Sequence, residues 1–114
     1  AFQITDDLLD LTGDQQDVGK STGRDLDMGK LTLPLIRALH HSDEPTRRSI
    51  TALVRDRCHA QLRERLCEDG WFESAEQTVI DRVASARRHI GDLPDNQATT
   101  MLHLLADAII ARTF

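Results

Sequence analysis

The chain has 114 residues, 39% of them hydrophobic and 29% charged, which allows one modest core and no more than one domain. Nineteen acids against fourteen bases leave a net charge of −5, the balance of an ordinary globular surface, and this excludes a basic nucleic-acid binder and a disordered acidic tail. No apolar run approaches the roughly 20 residues that span a bilayer, and the start is not of the charged-then-apolar secretory kind, so the expected location is cytoplasmic. The sequence opens at Ala1 directly in an apolar, carboxylate-bearing segment with no capping residue, and reads as cut from a longer chain.

Taken in order, residues 1–11 (AFQITDDLLDL) have helical spacing. A glycine-rich segment, GDQQDVGKSTGRDLDMGK, follows and holds the only two lysines, Lys20 and Lys30. Its scarcity of apolar side chains makes Gly13 to Gly29 the expected most mobile internal stretch. Next comes a short apolar helix from about Thr32 to His41, with Pro34 near its start, stopped by the Ser42, Asp43, Glu44, Pro45 cluster that also caps its successor. From about Pro45 to Cys67 the spacing predicts one helix with Ile50, Leu53, Val54, Cys58, Leu62 and Leu66 inward. Nine residues apart on that helix, Cys58 and Cys67 stand about 13 Å apart along the axis and point to opposite faces, which makes them unpaired, half-buried thiols. Gly70 ends the run. Ser74 and Gln77 have the form of a capping box ahead of a stripe of Val79, Ile80, Val83, Ala84 and Ile90. Gly91 to Pro94 break the chain, and Asp95 or Asn96 caps a last helix with Met101, Leu102, Leu105, Ala108 and Ile109 inward. No strand alternation or internal repeat appears, so the expected fold class is all-α.

The charge is concentrated at the start: residues 1–30 hold seven acids and three bases, residues 31–114 twelve and eleven. This divides a single helical unit, 1–114, into a chemical segment, 1–30, and a scaffold, 31–114. On a helix Asp6, Asp7 and Asp10 fall within about 100° of one another. Three carboxylates so placed repel unless cations neutralise them, and their hard oxygens suit Mg²⁺ completed by waters and phosphate oxygens. The plainer alternative is a solvated acidic face. Beside them, two lysines on a glycine-rich loop could clamp a diphosphate from two sides. Gly19, Lys20 and Ser21 spell part of a nucleotide-binding P-loop, but Asp14 stands where that motif needs its first glycine. A calcium loop fails too, since neither Asp10 nor Asp25 starts the required ligand alternation. The five histidines show no metal-ligand spacing.

FQITDDLLDLTGD followed by GKSTGRDLDMGKLTLPLI resembles the second aspartate-rich region of the trans-type isoprenyl diphosphate synthases, of the long-chain polyprenyl kind. LPDNQATTMLHLLADAIIARTF is similar to that family's closing helix. The resemblance implies a Mg²⁺-dependent, all-helical and usually homodimeric prenyltransferase, in which an allylic diphosphate ionises, isopentenyl diphosphate attacks and a proton is lost. It implies that Asp6, Asp7 and Asp10 hold Mg²⁺ against the allylic diphosphate and that Lys20 neutralises charge growing on the leaving oxygens. Asp25 and Lys30 would stand behind the binding groups and at the diphosphate rim, and Gln3 would line the cavity near the prenyl group. Thr5, where the family often has an aliphatic residue, leaves the pattern intact. The first aspartate-rich motif, the basic residues for isopentenyl diphosphate and the helices that set product length lie upstream in that family and are not in these 114 residues. The expected result is an inactive C-terminal piece that self-associates through its first two helices or exchanges helices between copies. Two other readings are a shortened paralogue serving as a helical interaction module, and a terpene cyclase piece, although GKxxGxD is not a cyclase signature.

Overall fold

A computed structural model describes residues 1–12 and 24–112. All regular structure among them is helical, in seven segments: α1 (Phe2–Thr12), α2 (Arg24–Asp27), α3 (Leu33–His41), α4 (Glu44–Arg55), α5 (His59–Glu68), α6 (Trp71–Gly91) and α7 (Gln97–Ala111). The all-α expectation is met. With extents of 52 × 34 × 21 Å, the molecule is about two helix diameters thick at its thinnest. Its radius of gyration, 16.5 Å, exceeds the roughly 13 Å of a compact chain this long.

The axis of the fold is α6. Its 21 residues carry Phe72, Ala75, Val79 and Val83 at spacings of three and four, a stripe that packs against α1, α3, α5 and α7. Leu8 and Leu11 of α1, Leu35 and Ala38 of α3, Ile50, Leu62 and Leu66 complete the core. Arg37 ties α3 to α6. Its guanidinium donates to the Ser74 hydroxyl (2.6 Å), to the Ser74 carbonyl and to the Thr78 hydroxyl (2.7 Å). Ser74 therefore does not open a capping box: the helix begins at Trp71 after Gly70, whose φ of 76° is left-handed, and Gln77 donates instead to Asp81. Ile80 and Ala84, expected inward, are exposed, because the core meets the side of α6 that carries Phe72 and Ala75.

The single helix expected from Pro45 to Cys67 is two. In a straight helix each four-residue step drifts by about 40°, so Leu66 would lie roughly 160° round from Ile50 and the two could not share a core. The break re-aims them. It is a Schellman ending: Cys58 N–H donates to the Leu53 carbonyl (2.9 Å), Arg57 N–H to that of Val54 (3.2 Å), and Arg57 takes the left-handed position at φ 54°. Cys58 consequently sits at the turn, half-buried, while Cys67 is exposed rather than half-buried; both are free thiols.

Asp43 caps α4 through Thr46 N–H (3.0 Å), and Asn96 caps α7 through Thr99 N–H (3.1 Å). On α7 the inward face is Thr99, Ala106 and part of Ile109 and Ile110, not the expected Met101, Leu102, Leu105 and Ala108. Met101, Leu102, Leu104 and Leu105 point outward, Met101 being 63% exposed. α7 is apolar around most of its circumference, so periodicity alone selects no face, and the small residues let it approach α6 closely. The first two long helices, by contrast, cover most of the surface expected to be bare: Leu8, Leu11 and Leu35 are buried, leaving Phe2, Leu9 and Ile36 outside.

Two measurements check these points. Because the backbone at position 57 demands a left-handed φ, Arg57→Gly should be about 1 kcal/mol more stable than Arg57→Ala in urea unfolding. The hydrogen bonds from Thr46 hold the Asp43 carboxyl below its ordinary pKa, so its contribution is present above the unfolded value of about 4 and is lost as pH falls through the lowered one. Asp43→Asn, which caps without titrating, should therefore lose less melting temperature than the wild type between pH 5 and pH 3.

Candidate active site

On α1 the core-facing residues are Thr5, Leu8 and Leu11, one turn apart. Asp7 lies on the border of that stripe, in line with Gln3 and Leu11, and its side chain is only 10% exposed. Asp6, one residue back, is 50% exposed. This small rotation decides the electrostatics. A carboxylate drawn toward a core needs hydrogen-bonded partners, whereas one in water does not.

Asp7 has them. Its Oδ1 accepts from Gln3 Nε2 (2.8 Å) and from Lys30 Nζ (2.8 Å), and the same ammonium donates to Asp25 Oδ2 (3.0 Å). Hydrogen bonds to Asp7 first and Asp25 second raise the Lys30 pKa above its ordinary value, so the group is a fixed cation. Asp10 accepts at Oδ2 from the Asp25 backbone N–H (3.0 Å), which fixes α2 against α1. The turn after α2 completes the arrangement. Gly29 takes φ 72°, Gly29 N–H donates to the Leu26 carbonyl, and Lys30 N–H donates to the Asp25 carbonyl at 2.7 Å, returning Lys30 to the residue it pairs with. Glycine is required there by its φ; a Cβ would meet nothing within 4 Å.

Asp6 pairs with Arg112 beyond the end of α7 (3.2 Å), and that guanidinium lies 5.2 Å from the centre of the Phe2 ring. An ion pair with both partners about half exposed contributes roughly 0–1 kcal/mol and yields readily to another cation.

The acids expected to form one patch are therefore divided: Asp6 faces outward, Asp7 is bound inward to Lys30 and Gln3, and Asp10 holds α2. Among the described residues no three of His, Cys, Asp or Glu come together as a metal-holding group. The donor chemistry still fits Mg²⁺, which commonly takes one or two carboxylates and completes its octahedron with waters and phosphate oxygens; Asp6 and Asp10, four apart on one helix face, are such a pair. Lys20 and the rest of residues 13–23, with the mobility expected there, lie outside the described residues. Neither the Arg112–Asp6 contact nor the Arg37 clamp was legible in the sequence, since both join residues far apart in the chain.

The profile described as Polyprenyl synthetase matches residues 1–68. The chain belongs to the polyprenyl synthetase family. It is similar to a geranylfarnesyl diphosphate synthase of Natronomonas pharaonis, at 32% identity over all of this chain and 33% of that protein. It is also similar to a short chain isoprenyl diphosphate synthase of Methanothermobacter thermautotrophicus, at 30% over 98% of this chain and 35% of that protein. With an octaprenyl diphosphate synthase of Escherichia coli the identity is 31% over 86% of this chain and 32% of that protein. The chain spans about a third of the length of these relatives. No solved structure gives a significant match. The segment matched by the family contains the whole Gln3–Asp7–Lys30–Asp25 network.

If Gly29 sets the position of Lys30, Gly29→Ala should cost about 1 kcal/mol in urea unfolding through its left-handed φ alone. Helix content by circular dichroism should stay unchanged.

Proposed function

We propose that this chain carries the second aspartate-rich, diphosphate-holding part of a prenyltransferase that joins isopentenyl diphosphate to an allylic diphosphate and forms a polyprenyl diphosphate. The observation that supports this best is the Lys30 ammonium, pinned by Asp7 and Asp25 against the helix that also carries Asp6 and Asp10, whose carboxylates are held only by an exposed arginine and by one backbone N–H. That pairing suits a diphosphate, whose oxygens would accept from the ammonium, with a divalent cation that the carboxylates would hold.

In this reading Asp6 and Asp10 would hold Mg²⁺, and Asp7 belongs to the same acidic motif. Bound there, the ion would supply positive charge to the leaving diphosphate. Lys20 and Lys30 supply further positive charge to its oxygens, Asp25 keeps Lys30 in place, and Gln3 borders the prenyl chain. Residues 1–30 do the chemistry, and 31–114 are the helical scaffold that presents it. Among the described residues no helix is long and apolar enough to cross a membrane. The proposed setting is cytoplasmic, with no nucleic-acid partner.

The outward Met101, Leu102, Leu104 and Leu105 favour association with another helical surface, and a homo-oligomer is the form proposed here. Light scattering at micromolar concentration should give more than the monomer mass; a monodisperse monomer would refute it.

The 114 residues by themselves contain one aspartate-rich motif, and half a carboxylate cage does not hold a diphosphate from both sides. Incubated with farnesyl diphosphate, isopentenyl diphosphate and Mg²⁺, the chain should yield no longer prenyl product. It should nevertheless bind inorganic pyrophosphate with Mg²⁺ in calorimetry, and Asp6→Ala should weaken that binding by about tenfold or more. Equal binding by Asp6→Ala would reduce the acids to a solvated face.

A further inference from the structure

We propose that the outward face of α7 is the seam on which a second copy of this chain docks, its own α7 lying antiparallel to the first across a two-fold axis between Leu104 and Leu105. This deepens the homo-oligomer reading, on which it rests, and does not depend on the diphosphate site.

α7 meets α6 through Thr99, Ala106 and the partly buried Ile109 and Ile110, and its opposite side is bare. That side is a narrow apolar stripe. Met101, Leu104 and Leu105 are each more than half exposed, and Ala108 is exposed beside them, at the three- and four-residue spacing of a coiled-coil seam. No charge interrupts it, because Asp107 turns aside to pair with Arg87 of α6. Each of the three large side chains leaves on the order of 100 Å² bare, so the patch reaches about 300 to 400 Å², the size that marks a binding face.

A second copy fits because the stripe maps onto itself when reversed. Reversal about the point between Leu104 and Leu105 exchanges Met101 with Ala108, Ala98 with Ala111 and Gln97 with Arg112, all of them exposed. In an antiparallel pair a long side chain therefore faces a short one, the leucines face each other, and the guanidinium at each end meets a neutral amide oxygen that can accept from it. A parallel pair in register does worse at both places. Ala108 against Ala108 leaves a gap, and Arg112 against Arg112 sets like charges together. Opposed helix dipoles act in the same direction as size and charge. The patch is smaller than the roughly 800 Å² per partner of a standard stable interface, so the dimer is weak and concentration-dependent.

Sedimentation equilibrium of the 114-residue chain over micromolar concentrations should show monomer passing into dimer and nothing larger, since a two-fold contact closes on itself. Leu104→Glu should raise the dissociation constant by about tenfold or more with helix content unchanged, because the position already stands in solvent. Ile36→Glu, at an exposed apolar residue of α3, should leave it within about twofold. Disulfide cross-linking in a Cys58→Ser, Cys67→Ser background reads the orientation. Mixed Met101→Cys and Ala108→Cys chains should cross-link to each other and neither to itself, since only the antiparallel pair brings those two positions together. Should that background fail to fold, the comparison of Leu104→Glu with Ile36→Glu carries the test. If Leu104→Glu leaves association unchanged, if Ile36→Glu weakens it as much, if species beyond the dimer form, or if each cysteine variant cross-links only to itself, the inference is overturned and the homo-oligomer reading stands. A chain that stays monomeric throughout overturns both, leaves the α7 face to a different partner, and does not touch the prenyltransferase reading.

Discussion

One ammonium group organises the business end of this chain. Lys30 lies between Asp7 on α1 and Asp25 on α2, and it stands three residues before α3 begins, so a single cation joins the three elements that bear the motif. Without it, a carboxylate would be drawn toward the core of α1 with only an amide for company, and desolvation would push it back toward water. The glycine before it is part of the same constraint, since only a left-handed φ turns the chain back soon enough for Lys30 to meet Asp25.

That network is positioned by a scaffold with little redundancy. α6 supplies the surface on which α1, α3, α5 and α7 all rest, and its buried stripe alternates a large ring with small and branched side chains. The Arg37 fork adds directional hold where α3 crosses it; a lysine, with one nitrogen, would not reproduce the planar two-nitrogen reach to Ser74 and Thr78. Fixing α3 to α6 fixes the turn that leads into α3, and with it Lys30. Geometry at the acids therefore depends on packing some distance away.

Membership of the polyprenyl synthetase family directs attention to the acids, whose contacts differ. A motif of three aspartates invites the view that all three do one thing. Here their neighbours differ: arginine and solvent for Asp6, lysine and glutamine for Asp7, a backbone amide for Asp10. The same side chain thus stands in three different environments.

What the sequence by itself determined was local. The helical class, the α3 start with Pro34, the Asp43 cap and the stop at Gly70 follow from spacing, proline and glycine geometry and short-range hydrogen bonds, all of which act within a few residues. The motif residues Gln3, Asp6, Asp7, Asp10, Asp25 and Lys30 were legible for the same reason, as a pattern along the chain. Tertiary structure decided the rest. The helix expected from Pro45 to Cys67 breaks at Arg57 because Leu62 and Leu66 must face the same core as Ile50, a demand made by the shared core and not by the local residues. α7 turns Ala106 inward and Met101 outward because an all-round apolar helix has no preferred face until a neighbour chooses one. Which aspartate is buried depended on how α1 rolled against α6 and α3, for a rotation of one residue is about 100° and exchanges a solvent-facing acid for one held by lysine.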